Sequence, residues 1–229
     1  MEKSQETINH LGFIVDGNRR WAKERNLHTL KGHQKGLEKV EMVIEELANS
    51  KQVNFASFYL FSTENWNRAK EEVDYLMDLL CQKVIGLAKK MQKNNVKCLV
   101  LGSEDNVPEK VLSGLKKAEE ITKDCTGMTA CICFNYGGKL EIADAVNKAL
   151  EKGEEITPET IEKNLYHPEV PPCDMIIRTS GEQRISGYML WRAAYSEFLF
   201  LDKYFPDMEP EDVPKIIEEY KNRNRRFGK

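Results

Sequence analysis

Nowhere in this sequence do apolar residues run on for the roughly 18 positions that a bilayer-spanning helix needs, which argues against an integral membrane protein. The opening MEKSQETINH also lacks the apolar stretch of a secretory leader, so the chain is expected to be soluble and cytoplasmic. No pair of cysteines stands as C-x-x-C, and the four histidines are scattered without zinc-ligand spacing. The six cysteines (Cys81, Cys98, Cys125, Cys131, Cys133, Cys173) are therefore expected as reduced, buried thiols, with Cys131 and Cys133 on one face of a strand. Neither G-x-x-x-x-G-K-[ST] nor G-x-G-x-x-G occurs, which removes the common nucleotide-binding loops. No repeat or long Gly/Ser linker divides the chain, and residues 1–229 are expected to form one domain. An excess of positive charge is missing too. At a formal net charge of -3 there is no general attraction to nucleic acid, and an anionic ligand must be held by local arginines.

What the sequence does contain is a succession of short apolar runs: LGFIV, NFASFYLF, KCLVLG, ACICFNY, DMIIRT and FLFL. Their length and β-branched or aromatic content mark them as buried strands. Helical spacing fills the gaps. Val40, Val43, Ile44 and Leu47 form one stripe, and Val73, Leu76, Met77, Leu80, Val84, Leu87 and Met91 form another. PEKVLSGLKKAEEITKD begins with a proline suited to a first helical turn. Strand and helix thus alternate, which implies an α/β fold, a mainly parallel six-stranded sheet surrounded by helices, with ligands beyond the carboxyl ends of its strands. YHPEVPPCD reads as an extended connection, and the last helix carries Val213, Ile216, Ile217 and Tyr220 before Arg223, Arg225 and Arg226.

Candidate site residues fall just past the predicted strands. Asp16 ends the first, Gly17 and Asn18 permit a tight turn, and Arg19 and Arg20 stand where a helix opens with unpaired N–H donors. A carboxylate beside a phosphate site repels it unless a cation intervenes, and magnesium uses one or two carboxylates plus phosphate oxygens. A metal-bridged diphosphate at Asp16 and simple helix capping by Asp16 both fit this segment. After the second strand, Ser62, Thr63, Glu64, Asn65, Trp66 and Arg68 crowd before a helix, where Ser62 or Thr63 with Glu64 also suits capping. After the fifth, Arg178 and Arg184 flank a Ser-Gly turn, with Ser186 and a further helix start nearby. Planar guanidinium forks in that setting suit a second phosphate group. Asp16 lacks a second aspartate two positions on, which weakens a phosphatase reading with an aspartyl nucleophile.

In their order along the chain, HLGFIVDGNRRWAK, GHQKG, FSTENWNR, FNYGGKLEI, IIRTSGEQRIS, MLWRAAYSE and NRRFG resemble the cis-prenyltransferases of the undecaprenyl diphosphate synthase type, from His10 to Gly228. The resemblance implies that fold and a magnesium-dependent enzyme, a homodimer, that joins isopentenyl diphosphate repeatedly and with Z geometry to an allylic primer such as farnesyl diphosphate. It assigns Asp16 to magnesium and to departure of the allylic diphosphate, and Gly17, Asn18, Arg20, Trp21 and His33 to the primer site. Ser62, Glu64, Asn65, Trp66 and Arg68 match the S-x-E-N-W-x-R segment, with Asn65 placed at proton removal. Arg178, Arg184, Ile185 and Ser186 fall in the isopentenyl diphosphate site, and Glu197 matches a second metal-associated carboxylate. The growing lipid implies an apolar tunnel, which the Val73–Met91 stripe is placed to line, and a peripheral membrane contact for product release. Taken without the resemblance, ordinary core packing is the better account of that stripe.

The chain departs from that pattern at Arg19, which replaces a glycine, and at Thr29, which replaces an arginine that meets the primer diphosphate. Ala69, Lys139 and Ser180 are further departures. Arg19 is expected to supply the charge missing at Thr29. A rival from another class is a non-catalytic partner subunit of a heteromeric prenyltransferase. Retention of Asp16, Asn65, Trp66 and both arginine sites argues against it, and the acidic total argues against nucleic-acid binding through the terminal arginines.

Overall fold

Each of the six apolar runs is a strand in the computed structural model, which describes residues 7–223. In chain order the elements are β1 (Ile8–Ile14), α1 (Asn18–Glu24), α2 (Thr29–Ser50), β2 (Val53–Ser62), α3 (Lys70–Lys93), β3 (Lys97–Leu101), α4 (Glu109–Thr122), β4 (Thr129–Tyr136), α5 (Gly138–Glu151), α6 (Pro158–Asn164), β5 (Met175–Arg178), β6 (Glu197–Phe200) and α7 (Asp212–Lys221). Short 3₁₀ turns occupy Thr63–Asn67 and Phe205–Asp207. The sheet runs in the order β3-β4-β2-β1-β5-β6, and every pairing is parallel. No helix among the described residues is long and apolar enough to cross a membrane.

Side chains alternate across a strand, so successive apolar residues serve two different cores. Phe13, Phe58, Ile132 and Ile177 face one side, where they meet Val40, Val43 and Leu47 of α2 and Met77, Leu80 and Val84 of α3. The Phe13 and Phe58 rings stack there at 5.1 Å. Ile14, Tyr59, Cys131, Cys133 and Ile176 face the other side and pack with Tyr188 and Met189. The shared face expected for Cys131 and Cys133 is therefore present. All six cysteines are free thiols, but Cys81 and Cys125 are only half-buried, because each lies on a helix flank or turn rather than in a strand.

Two further expectations need correction. Pro108 caps α4 instead of sitting in its first turn. Beyond Ser186, where a helix was expected, the chain winds through turns, since Ser186, Gly187 and Met189 all take positive φ (50°, 75° and 49°), which no right-handed helix accommodates. Buried polar groups fix that turn segment instead. Arg192, almost wholly buried, pairs with Glu141 of α5 and donates to the carbonyls of Tyr166 and Val170 at 2.7 and 3.1 Å. α7 ends at Lys221; Arg223 pairs with Glu197 and Glu219, whereas Arg225 and Arg226 lie outside the described residues.

A second buried line joins β1 to the same segment. His10 lies 2.7 Å from the Pro171 carbonyl through Nδ1 and 2.7 Å from Ser57 Oγ through Nε2. The carbonyl can only accept, so Nδ1 carries the proton and Nε2 accepts from Ser57, to which the Tyr188 hydroxyl donates at 2.5 Å. Burial pushes the imidazole down to about 4, against the Pro171 bond that favours its charged form. The unfolded chain then takes up a proton near pH 6.5 that the native state refuses, so stability is complete above that value and falls as pH drops toward 4. Urea unfolding at pH 7 and pH 5 should show this residue costing the protein about 2 kcal/mol over the interval. The His10→Gln variant should lose that part of the pH dependence, and an identical slope in both proteins would refute the assignment.

Candidate active site

The carboxyl ends of β1, β2 and β5 converge, because register places Ile14 beside both Tyr59 and Arg178. Just beyond β1, the chain must reverse into α1, and Gly17 takes φ 98° to do so. A side chain there would be strained and would strike Tyr204. Thr179 pins the backbone of Asp16 from the facing strand: its Oγ1 accepts from the Asp16 N–H at 3.1 Å and donates to the Asp16 carbonyl at 2.7 Å. Behind the turn, α1 and α2 approach closely at Gly32 and Gly36, where a Cβ would fall 1.9 Å from the Asn18 carbonyl oxygen and 2.5 Å from its Oδ1.

The Asp16 carboxylate is held from both sides. Oδ2 accepts from Arg178 Nη2 at 2.7 Å and Nε at 3.3 Å, while Oδ1 accepts from the Gly17 N–H at 2.7 Å and lies 3.5 Å from Arg20. Burial alone would raise its pKa, but the Arg178 hydrogen bond and charge, the Gly17 N–H and Arg20 together hold it below the usual carboxylate range. It is an ionised oxygen donor at any physiological pH.

Arg178 is buried and bridges two segments, since its Nη1 donates to Ser186 Oγ at 3.0 Å and to the Arg184 carbonyl. Arg20 donates to Ser180 Oγ at 2.6 Å and to Glu182 at 2.9 Å, and Glu182 also pairs with Arg184. Across the cleft Glu72, in the first turn of α3, accepts from His33 Nε2 at 3.0 Å and from Arg68 at 3.1 Å, with Arg19 3.8 Å away. Burial holds the His33 imidazole below its ordinary pKa, only partly offset by the Glu72 bond, so it is neutral near pH 7. Asp16, Gly17, Arg19, Arg20, His33 and Arg68 thereby line a cleft of about 280 Å³.

Asn18 and His33 also face an apolar cavity of about 60 Å³ between α2, α3 and β2. Leu37, Leu60 and Leu80 link it to a second, of about 20 Å³, that reaches Leu87, Met91 and Cys98. The predicted α3 stripe is thus divided. Val73 and Met77 pack in the core alone, while Leu76, Leu80, Val84, Leu87 and Met91 line this apolar path. A larger hollow, about 810 Å³ between α4, α5 and the 166–169 segment, lies away from Asp16 and has no arginine in its lining.

Several expected residues stand apart. The Trp21 indole donates to Asp207 at 2.6 Å and stacks under Arg25, and it does not line the cleft. Glu197 pairs with Arg223 and sits in register with Met175, three residues back from Arg178, so within one chain it lies roughly 10 Å toward the other end of the sheet. Glu64 is exposed. Asn65 Oδ1 accepts from the Ser62 N–H at 3.1 Å, so the capping expected of this segment involves Asn65. Thr63 packs against Gly137, and Ile185 packs on the second core. Glu72, Glu182 and Thr179 also hold the site together, although no sequence motif singles them out. Only Glu72 had a signal, its position four residues after Arg68.

The chain matches the prenyltransferase family model for undecaprenyl diphosphate synthase over residues 14–228. It is 44% identical to an isoprenyl transferase of Thermotoga maritima, over 96% of each chain, and 44% identical to an isoprenyl transferase of Fusobacterium nucleatum, over 96% of this chain and 95% of that one. Among solved structures, it superposes on lavandulyl diphosphate synthase from Lavandula x intermedia, in complex with dimethylallyl diphosphate, with a TM-score of 0.90 at 30% identity, covering 97% of this chain and 99% of that one. A probable undecaprenyl diphosphate synthase from Campylobacter jejuni gives a TM-score of 0.83 at 29% identity, covering 98% and 100%.

Three arginines line this small cleft and Arg178 lies beside it on Asp16, so the cleft should bind a compact polyanion even without an organic tail. Calorimetric titration with inorganic pyrophosphate should show salt-sensitive binding that Arg20→Met weakens about tenfold. An affinity within twofold of the parent would show that Arg20 serves only its contacts with Asp16, Ser180 and Glu182.

Proposed function

The chain belongs to the undecaprenyl diphosphate synthase family of isoprenyl transferases, and from that premise we propose that it joins isopentenyl diphosphate, repeatedly and with Z geometry, to an allylic primer such as farnesyl diphosphate. The observation that carries this reading is one ionised carboxylate between two sets of arginines at the mouth of an apolar path. The arginine sets offer room for two diphosphates, and the apolar path offers room for a tail.

In this reading the primer diphosphate lies against the N–H groups opening α1 with Arg19, Arg20 and Arg68, and its hydrocarbon enters past Asn18 and His33. Arg178, Arg184 and Ser186 hold isopentenyl diphosphate. The allylic carbon–oxygen bond breaks, a carbon–carbon bond forms to the homoallylic substrate, and a proton leaves that substrate. Charge develops on the departing diphosphate, which fixed guanidinium and N–H donors stabilise without reorganisation. Asn65 has its Oδ1 committed to the Ser62 N–H, so its amide presents a donor. We assign it to orienting a diphosphate, whose oxygen or a water takes the proton.

Asp16 fits a magnesium ion as one hard, ionised donor. Among the described residues no group of three His, Cys, Asp or Glu could hold a metal, so the remaining ligands would be diphosphate oxygens and water. Bound there, the ion would neutralise the leaving group. Each five-carbon unit buried contributes roughly 4 kcal/mol, which makes product release slow and gives a membrane surface a role in it. A product of undecaprenyl length and a homodimeric enzyme complete the proposal.

Radiolabelled isopentenyl diphosphate with farnesyl diphosphate and magnesium should yield butanol-extractable lipid, and no lipid from the purified chain would instead support a non-catalytic partner subunit. Arg19→Gly should raise the primer KM about tenfold with little change in the isopentenyl diphosphate KM. An unchanged primer KM would remove Arg19 from the site.

A further inference from the structure

The 3₁₀ turn Thr63–Asn67 carries Asn65 and Trp66, yet none of its five residues is buried. A turn with so little packing depends on a few bonds for its place, and the Asn65–Ser62 bond is internal to it. Trp66 reaches further. Its indole N–H donates at 2.8 Å to Oδ1 of Asn135, near the end of β4, and its ring meets Phe61 edge-on at 4.9 Å.

Asn135 is 3% exposed and takes φ 47°, a left-handed conformation that asparagine tolerates better than most residues. Its Nδ2 donates to the carbonyls of Ser103 and Asp105, both at 2.9 Å. Two carbonyls can accept only from the NH₂ end and an indole can donate only to the oxygen, so the amide has a single orientation. The loop after β3 aims the Asn135 oxygen, and that oxygen anchors Trp66.

We propose that Asn135 is a positioning residue that latches the Thr63–Asn67 turn to β4 and so sets where Asn65 meets the substrates. This rests on the transferase reading above. Asn135 touches no reacting atom; it acts through Trp66. Its loss should slow turnover more than it weakens binding, because the misplaced group works after the primer has bound.

Two substitutions separate the bonds. Asn135→Gly removes both while keeping the left-handed backbone free of strain. Asn135→Asp keeps an oxygen for Trp66 but loses the donors to Ser103 and Asp105. Hydrogen exchange of the indole N–H groups, followed by NMR with Trp21 and Trp191 as internal references, reads the latch without any activity. In Asn135→Gly the Trp66 indole should exchange about tenfold faster, with kcat down about tenfold and primer KM within about threefold. In Asn135→Asp a carboxylate oxygen faces those two carbonyls in place of the NH₂ group, and indole exchange and kcat should move together, both parent-like or both changed. Parent-like kcat in a folded Asn135→Gly protein, or unchanged indole exchange in it, would overturn the proposal. Should the glycine variant not fold, the aspartate variant decides: an indole and a kcat that move together support the latch, and either one changing without the other overturns it. An inactive wild-type enzyme would count against the transferase reading, while indole exchange would still decide the latch.

Discussion

The ion pair between Arg178 and Asp16 is the contact on which the rest of the site depends. Arg178 closes β5 and is 4% exposed. A guanidinium so deeply placed costs several kcal/mol unless an anion meets it, and leaving such a charge without its partner typically costs about 3–5 kcal/mol. The β1–β5 register supplies the partner by setting Ile14 beside Arg178, so that the turn after β1 brings Asp16 into bonding distance. One pair therefore does two things. It keeps the carboxylate ionised and aimed, and through Ser186 it ties the cleft beside α1 to the segment after β5.

Around that pair every arginine of the cleft has a carboxylate of the same chain for company. Glu182 holds Arg20 and Arg184, and Glu72 holds Arg68 and His33 with Arg19 close by. These contacts keep a concentrated positive charge compatible with a stable fold. They also orient the guanidinium groups before a ligand arrives, which lowers the ordering cost of binding. A diphosphate offers more charge and more acceptor oxygens than one carboxylate, so exchanging partners is favourable at the exposed arginines. Arg178 keeps its bonds to Asp16 and Ser186, because burial holds it there, and in the proposed reading it meets isopentenyl diphosphate as a fixed positive charge beside Arg184 and Ser186.

Much of this is legible in the sequence because strands announce themselves by short apolar runs, and in a parallel sheet chemistry collects just past their ends. Asp16, Arg20, Arg178 and Ser186 were placed that way. Glu72 and Glu182 were not, since an isolated glutamate in a charged stretch resembles any solvated one until tertiary packing brings cations to it. Trp21 shows the reverse: a helix rotates successive residues by 100°, and one position separates Arg20, in the cleft, from Trp21, against Asp207. Glu197 opens its strand instead of closing it, which puts it at the wrong end for Asp16 within one chain. The turns after Ser186 escaped notice because positive φ at Ser186 and Met189 is imposed by tertiary contacts and not by residue type.

Prenyl transfer by this chain depends on the charge at Asp16. Asp16→Asn keeps the shape of the side chain and an oxygen for the Arg178 bond while removing that charge, so its fold can be verified by circular dichroism and thermal melting. Single-turnover rates of prenyl elongation with saturating magnesium and both diphosphates test the point most directly. A loss of at least about a hundredfold in the folded variant is the predicted result. Elongation at the parental rate would contradict it.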